Sequence, residues 1–202
     1  MPFARMNRLR PRAGRNLLHN TEMKGVIPGT QAGVPRGWNS YFPHAANGVS
    51  IDFLPTTYEN GMARLNWRVW GTPTVDGGSS LFFTAYPSDI VAKVGDRFAL
   101  SAFIKRVDGA QPTYVTLAIN EVDAGLNYLG NTFIPLIPGT GELIRHREKL
   151  ITEVGQAGVA KIEPNITVGY SNGVPFDITL GLSIPQLERG QVVTQPERKP
   201  AF

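Results

Sequence analysis

The sequence contains no cysteine, so disulfide frameworks, thiolate zinc sites and cysteine nucleophiles are excluded. Its three histidines, His19, His44 and His146, are too far apart for His-Glu-x-x-His or any paired-ligand pattern, which removes the usual zinc chemistry. No apolar run approaches the roughly 20 residues that span a bilayer, and the basic start is followed by no apolar stretch. Neither membrane insertion nor a secretory signal is therefore expected. Gly-x-Ser-x-Gly, a phosphate-binding loop and a dinucleotide fingerprint are all missing. No segment keeps a helical period over about twelve residues, and no internal repeat is visible.

What remains is a chain of 202 residues, 42% hydrophobic and 18% charged, enough for one sizeable soluble domain. Its 22 Gly and 16 Pro are scattered between apolar runs, as a fold with many turns requires. The clearest element is Phe176 to Ile184, where Phe176, Ile178, Leu180, Leu182 and Ile184 share one parity and Asp177, Thr179, Gly181 and Ser183 the other. Other expected strands are Asn16–Asn20, Trp38–Phe42, Val49–Leu54 closed by Pro55, Met62–Trp70, Ser80–Thr84 after a Gly77-Gly78 turn, and Arg97–Arg106. Thr113–Val122, Leu143–Ile151, Val159–Tyr170 and Val174–Ile184 complete the set, with Asn172-Gly173 reading as a hairpin turn between the last two. Short strands with turn signals and no helices give the fold class: all-β, a two-sheet antiparallel β-sandwich or jelly roll. The core is expected at Leu65, Trp67, Phe98, Leu100, Leu117, Ile119, Ile166, Ile178 and Leu180.

Parity also defines an outer face. If the strands share a sheet, Arg64, Asn66, Arg68, Trp70, Phe103, Lys105, Tyr114 and Asn120 point away from the core together. Aromatic faces stack on pyranose C–H groups and planar polar side chains take paired hydroxyls, so this set is a candidate glycan surface. It equally suits a solvated face or a subunit interface, which Arg and Trp favour. Trp67 reads as core, and Trp38 as packing where the chain enters the sandwich.

The carboxylates suggest no catalytic pair. Glu121 and Asp123 end a strand, while Glu142, Glu148 and Glu153 alternate with Arg145, Arg147 and Lys149 as on a solvated, cross-paired edge. No enzymatic activity is expected. Arg5, Arg8, Arg10, Arg12 and Arg15 precede the first acid, Glu22, and account for most of the net charge of +4. With Pro2, Pro11 and Gly14 among them they form an extended basic arm, residues 1–15, which reads either as a solvated tail or as an arm that orders on a negatively charged partner, protein or nucleic acid. The sandwich is then residues 16–193 and the C-terminal tail 194–202.

Several segments together carry a resemblance. Arg15-Asn-Leu-Leu-His-Asn20, Pro28-Gly-Thr30, Val34-Pro-Arg-Gly-Trp38, Gly95-Asp-Arg-Phe-Ala-Leu-Ser-Ala-Phe-Ile-Lys105, Leu117-Ala-Ile-Asn-Glu121 and Pro185-Gln-Leu-Glu-Arg-Gly190 follow in order over about residues 15 to 193. They resemble the jelly-roll, carbohydrate-binding-module-like domains of bacteriophage tail and virion proteins. The resemblance implies a structural component of a phage particle, in head or tail, held by its N-terminal arm to other virion proteins rather than to nucleic acid. It implies possible host-glycan binding and a homo-oligomer, a trimer by analogy with spikes and fibres. It further implies a structural Ca²⁺ near the first and last strands, for which Glu22 and Asp177 would supply hard oxygen ligands. A free-standing carbohydrate-binding module and a polysaccharide-degrading jelly-roll enzyme are the alternatives.

Overall fold

Residues 16–20, 24–28, 33–41, 47–110, 112–145 and 147–195 are described by a computed structural model of the chain. The basic arm with Arg5, Arg8, Arg10, Arg12 and Arg15, together with Glu22, His44 and His146, lies outside the described residues.

Ten strands follow one another: β1 (Asn39–Tyr41), β2 (Val49–Glu59), β3 (Met62–Gly71), β4 (Gly77–Phe82), β5 (Arg97–Gly109), β6 (Tyr114–Val122), β7 (Tyr128–Leu136), β8 (Arg147–Glu153), β9 (Lys161–Tyr170) and β10 (Phe176–Arg189). They form two five-stranded sheets: sheet 1 in the order β1-β4-β9-β6-β7, and sheet 2 in the order β2-β3-β10-β5-β8. Every paired neighbour is antiparallel. Leu143–Arg145 is a single 3-10 turn, and no α-helix occurs among the described residues. The fold is the expected all-β sandwich.

Alternation builds the core. Phe53, Leu65, Trp67, Leu100, Leu180 and Leu182 from sheet 2 face Leu81, Leu117, Ile119, Ile166 and Val168 from sheet 1 in one cluster. All nine residues expected in the core are at most 1% exposed. Burying each large apolar side chain stabilises the fold by about 1.5–3 kcal/mol. Trp38 packs edge-on against Phe83 at 5.2 Å, and its Nε1–H donates to the His19 carbonyl at 3.2 Å, which fixes the entry of the chain.

Several expectations about individual elements fail for identifiable reasons. Asn16–Asn20 is not a strand. It lies along β10 through one ladder-like bond, Leu17 N–H to the Leu187 carbonyl, while the Asn16 side chain bonds the Pro185 carbonyl and the Leu187 N–H. Pro55 does not close β2, which continues to Glu59 through a register shift between Leu54 and Thr57. Gly77 and Gly78 are strand, not turn. A Cβ on Gly77 would meet the Tyr170 ring at 3.1 Å and one on Gly78 the Thr167 methyl at 2.9 Å, so glycine is required by close approach.

Leu143–Arg145 forms the 3-10 turn, so β8 begins only at Arg147. The strand β7, unforeseen in the sequence, pairs with β6. Asn172-Gly173 does turn, with Val174 N–H bonded to the Ser171 carbonyl, but it carries the chain from one sheet to the other. The tight Asn-Gly hairpin is Asn60-Gly61 between β2 and β3, with φ of 52° and 73°.

Candidate functional site

The eight residues grouped by parity do not form one surface, because β6 lies in sheet 1 while β3 and β5 lie in sheet 2. Tyr114 and Asn120 therefore sit on the opposite side of the molecule from the other six. On sheet 2 the outward side chains are mostly consumed by internal contacts. Phe103 is only 5% exposed and packs with Met62 and Leu143, because the segment after β7 folds back over the sheet. Arg64 pairs with Glu59 and donates to Asn66 at 3.0 Å; Lys105 reaches the same Glu59 at 3.1 Å. Asn66 donates to the Pro55 carbonyl at 2.8 Å.

At the exposed end of that face, Arg68 makes two bonds to Asp177, at 2.9 and 2.6 Å, and lies over Trp70 with 5.1 Å to the ring centre. Trp70 Nε1–H donates to Asp52. The bond from Arg68 holds Asp177 below the usual carboxylate range and raises the guanidinium in turn. Asp177 is thus engaged by a cation. No group of three or more His, Asp or Glu among the described residues is arranged to hold a metal ion.

Sheet 1 is different. Its outward side chains fall into rows that run across the strands, fixed by the register. The first row is Gly78, Gly169 and Tyr114. A Cβ on Gly169 would lie 2.0 to 2.3 Å from three atoms of the Tyr114 ring, so the ring lies flat on the sheet over this glycine. Its hydroxyl reaches toward Gly78, and the residue is 42% exposed. The second row is Tyr41, Ser80, Thr167, Thr116 and Pro135, with Ser80 and Thr167 hydroxyls 2.7 Å apart. The third is Asn39, Phe82, Asn165, Ala118 and Phe133. The fourth is Glu163, Asn120 and Asn131.

The central members of these rows are buried and the flanking rings are not. Asn165 is 1% exposed and Ala118 2%, while Phe133 and Tyr41 are 53% and 60% exposed. The result is a low polar floor between aromatic rings. Along the floor Thr167 Oγ1–H donates to Asn165 Oδ1 at 3.0 Å, and Asn165 Nδ2–H donates to the Glu163 carbonyl at 3.1 Å. Lys161 and Glu163 are the charged residues at outward positions of β9, and β6 has none. Parity places Tyr114 and Asn120 on an outer face but leaves their neighbours unassigned. The missing signal is in β9, where Lys161, Glu163, Asn165, Thr167 and Gly169 are all polar or small at one parity.

Three of the carboxylates singled out in the sequence make structural bonds. Glu121 accepts the Gly155 and Gln156 amides, Asp123 accepts the Asn127 amide and side chain, and Glu153 pairs with Arg97 across β5 and β8. Bonds from Asn127 hold Asp123 below its ordinary range.

No protein-family model and no curated protein matches the chain. Solved structures do share the fold. An arabinose-bound α-L-arabinofuranosidase superposes with a TM-score of 0.56 at 14% identity, covering 88% of this chain and 27% of that one. The enzymatically active domain of tailspike protein 4 from bacteriophage CBA120 gives 0.50 at 15% identity, covering 76% and 19%. The xylan-binding domain CBM22-1 of Paenibacillus barcinonensis Xyn10C gives 0.48 at 15%, covering 90% and 98%. The chain thus spans about a quarter or less of the first two proteins, and what it is similar to in them is the jelly-roll sandwich.

Proposed function

We propose that this chain is a non-enzymatic glycan-binding jelly roll of a phage particle and that it holds its ligand on the outer face of sheet 1. The observation that carries this reading is Tyr114, an exposed ring laid flat over Gly169 beside rows of hydroxyl and amide groups. A flat ring on a sheet offers its face to the C–H side of a sugar, and neighbouring Ser, Thr and Asn side chains both donate and accept toward hydroxyls. The flanking rings of Phe133 and Tyr41 extend that surface across the strands. Because the face holds few charges, an uncharged ligand meets no large desolvation cost there.

The phage setting is supported by the ordered resemblance of residues 15 to 193 to virion-associated domains, and by the tailspike domain among the structures sharing the fold. In this setting residues 1–15 are the anchor to other virion proteins, and the sandwich faces outward as an oligomer. The absence of catalysis is supported by the engagement of Glu59, Glu121, Asp123, Glu153 and Glu188 in structural bonds.

The test is calorimetric titration of the whole chain with neutral oligosaccharides of several backbones. Binding that falls about tenfold or more in Tyr114→Ala, roughly the loss of 1.4 kcal/mol, is the expected result. Binding by no glycan, or binding indifferent to Tyr114, would overturn the reading.

A further inference from the structure

Resting on the glycan reading above, we infer that Glu163, with Thr84 and Asn120, forms a hydroxyl-reading subsite at one end of the sheet 1 face that takes an uncharged sugar and rejects a uronic acid. The argument starts from unmade hydrogen bonds. Three carboxylates are buried among the described residues: Glu121, Glu163 and Glu188. Glu121 accepts backbone amides, and Glu188 accepts both the amide and hydroxyl of Thr194. The Glu163 carboxylate receives no hydrogen bond from any described residue, although the residue is only 9% exposed and its backbone carbonyl accepts from Asn165. A carboxylate so little exposed and with no protein donor keeps its acceptor capacity open toward the face.

Its neighbours also lack protein partners, Asn120 half-buried and Asn131 exposed. Asn120 stands opposite Glu163 on β6, and Asn131 opposite Asn120 on β7; neither amide side chain bonds another described residue. On the other side, Phe82 pairs with Asn165 and the Phe83 N–H bonds the Pro164 carbonyl, which brings the chain alongside β9 just before Thr84. The Thr84 hydroxyl is buried, 5% exposed as a residue, and has no hydrogen-bond acceptor or donor. A line of unpaired polar groups thus crosses the sheet next to the row of Phe82 and Phe133. Elsewhere on this face, Ser80, Thr167 and Asn165 bond one another.

The chemistry of that line selects a ligand class. A carboxylate offers acceptors only, so it is satisfied by the O–H donors of a neutral sugar, while amides and a hydroxyl serve the sugar's lone pairs. A ligand carboxylate here would bring no donor at neutral pH and would face Glu163 as a like charge. Lys161 is the charged group acting on Glu163 through space. Burial nevertheless prevails over it and pushes the Glu163 carboxyl above its ordinary range. Sites built to bond a substrate hydroxyl discriminate strongly against analogues that leave those groups unpaired.

The experiment titrates the whole chain, at pH 7, with neutral hexose or pentose oligosaccharides and with oligogalacturonate of equal length. Wild type, Tyr114→Ala, Glu163→Gln and Glu163→Ala are compared, with thermal unfolding as the check on folding. Wild type is expected to bind the neutral ligand at least tenfold more tightly than the uronate. Glu163→Gln, which removes charge but keeps shape and adds an N–H donor, should bring that ratio to within about threefold. Glu163→Ala should weaken the neutral ligand at least fivefold. A Tyr114-dependent binder whose neutral-to-acidic ratio is unchanged in Glu163→Gln, or which prefers the uronate, overturns this inference and leaves the glycan face standing. A wild-type chain that binds neither ligand overturns both.

Discussion

The Tyr114 ring occupies the space above Gly169 where a side chain would begin: an added Cβ would sit 2.0 Å from Cζ of the ring. One missing methyl on β9 therefore fixes how a residue on β6 presents its aromatic face. Gly169→Ala is expected to lift the ring off the sheet. Because the ring is partly exposed it can move, and the stability cost should stay at about 1–3 kcal/mol, the range for overpacking. Glycan affinity should fall about as far as in Tyr114→Ala. Circular dichroism melts and calorimetric titration check the two halves, and unchanged affinity would mean the flat ring is not the platform.

Asn16 has a role that its place near the start of the described residues does not suggest. Its Nδ2–H donates to the Pro185 carbonyl at 3.1 Å, and its Oδ1 accepts from Leu18 and Leu187 N–H at 3.0 and 2.9 Å. It continues the edge of β10 beyond Leu182, where pairing with β3 stops, next to Ile184, which has a left-handed φ of 43°. That conformation is strained for a β-branched residue and needs support. Asn16→Ala should cost about 1–3 kcal/mol in urea unfolding, since buried backbone groups lose their bonds. Asn16→Asp, which retains only the acceptor, should fall between wild type and Asn16→Ala.

The sandwich was legible because its inward strand faces obey period two with few exceptions, as Leu65, Trp67 and Val69 on β3 show. Strand partners were not legible, because parity says which way a residue points and nothing about which sheet it joins. Tyr114 and Arg68 have the same outward character, yet lie on opposite sides of the molecule. Burial of Phe103 was hidden for a related reason: Leu143, forty residues later in the chain, returns to cover it. The strand β7 was missed because Gly130, Asn131 and Pro135 weaken its β pattern; it is an edge strand, where a proline is tolerated.

Glu163 gives a stability test that does not depend on any ligand. Burial raises its carboxyl, with Lys161 acting weakly in the opposite sense. A raised acid binds its proton more tightly when folded, so its contribution is fully present below the unfolded value, 4.5, and is lost as pH rises through the folded value. No other titratable side chain occupies the flanking outward positions Asn120, Val122 and Phe82. Glu163→Gln should therefore melt at a higher temperature than wild type at pH 7, with the gap closing toward pH 4. A variant less stable than wild type at pH 7 would show that the carboxylate is satisfied when ionised.

Glu59 acts with the reverse sign. Its carboxylate ends β2 beside the Asn60-Gly61 hairpin and accepts the Leu143 amide at 2.7 Å and the Lys105 ammonium at 3.1 Å, besides pairing with Arg64. It thereby clips β2, β3 and β5 to the segment that covers Phe103. Burial alone would push its carboxyl up, but the Leu143 amide, Lys105 and Arg64 outweigh burial and hold it below 4.5. A depressed acid stabilises the fold above its unfolded value, and this stability is lost as pH falls through the folded value. Glu59→Ala leaves two mostly buried cations, Lys105 and Arg64, facing each other without an anion, at a cost of about 3–5 kcal/mol. Glu59→Gln should cost less, because the amide oxygen still accepts from Leu143. Asp177 and Asp123 are also depressed and will lower wild-type stability in acid on their own. The informative quantity is therefore the difference in melting temperature between wild type and Glu59→Gln from pH 7 to pH 3. It should be largest at neutral pH and shrink in acid, and a difference independent of pH would mean that the charge on Glu59 contributes nothing to the clip.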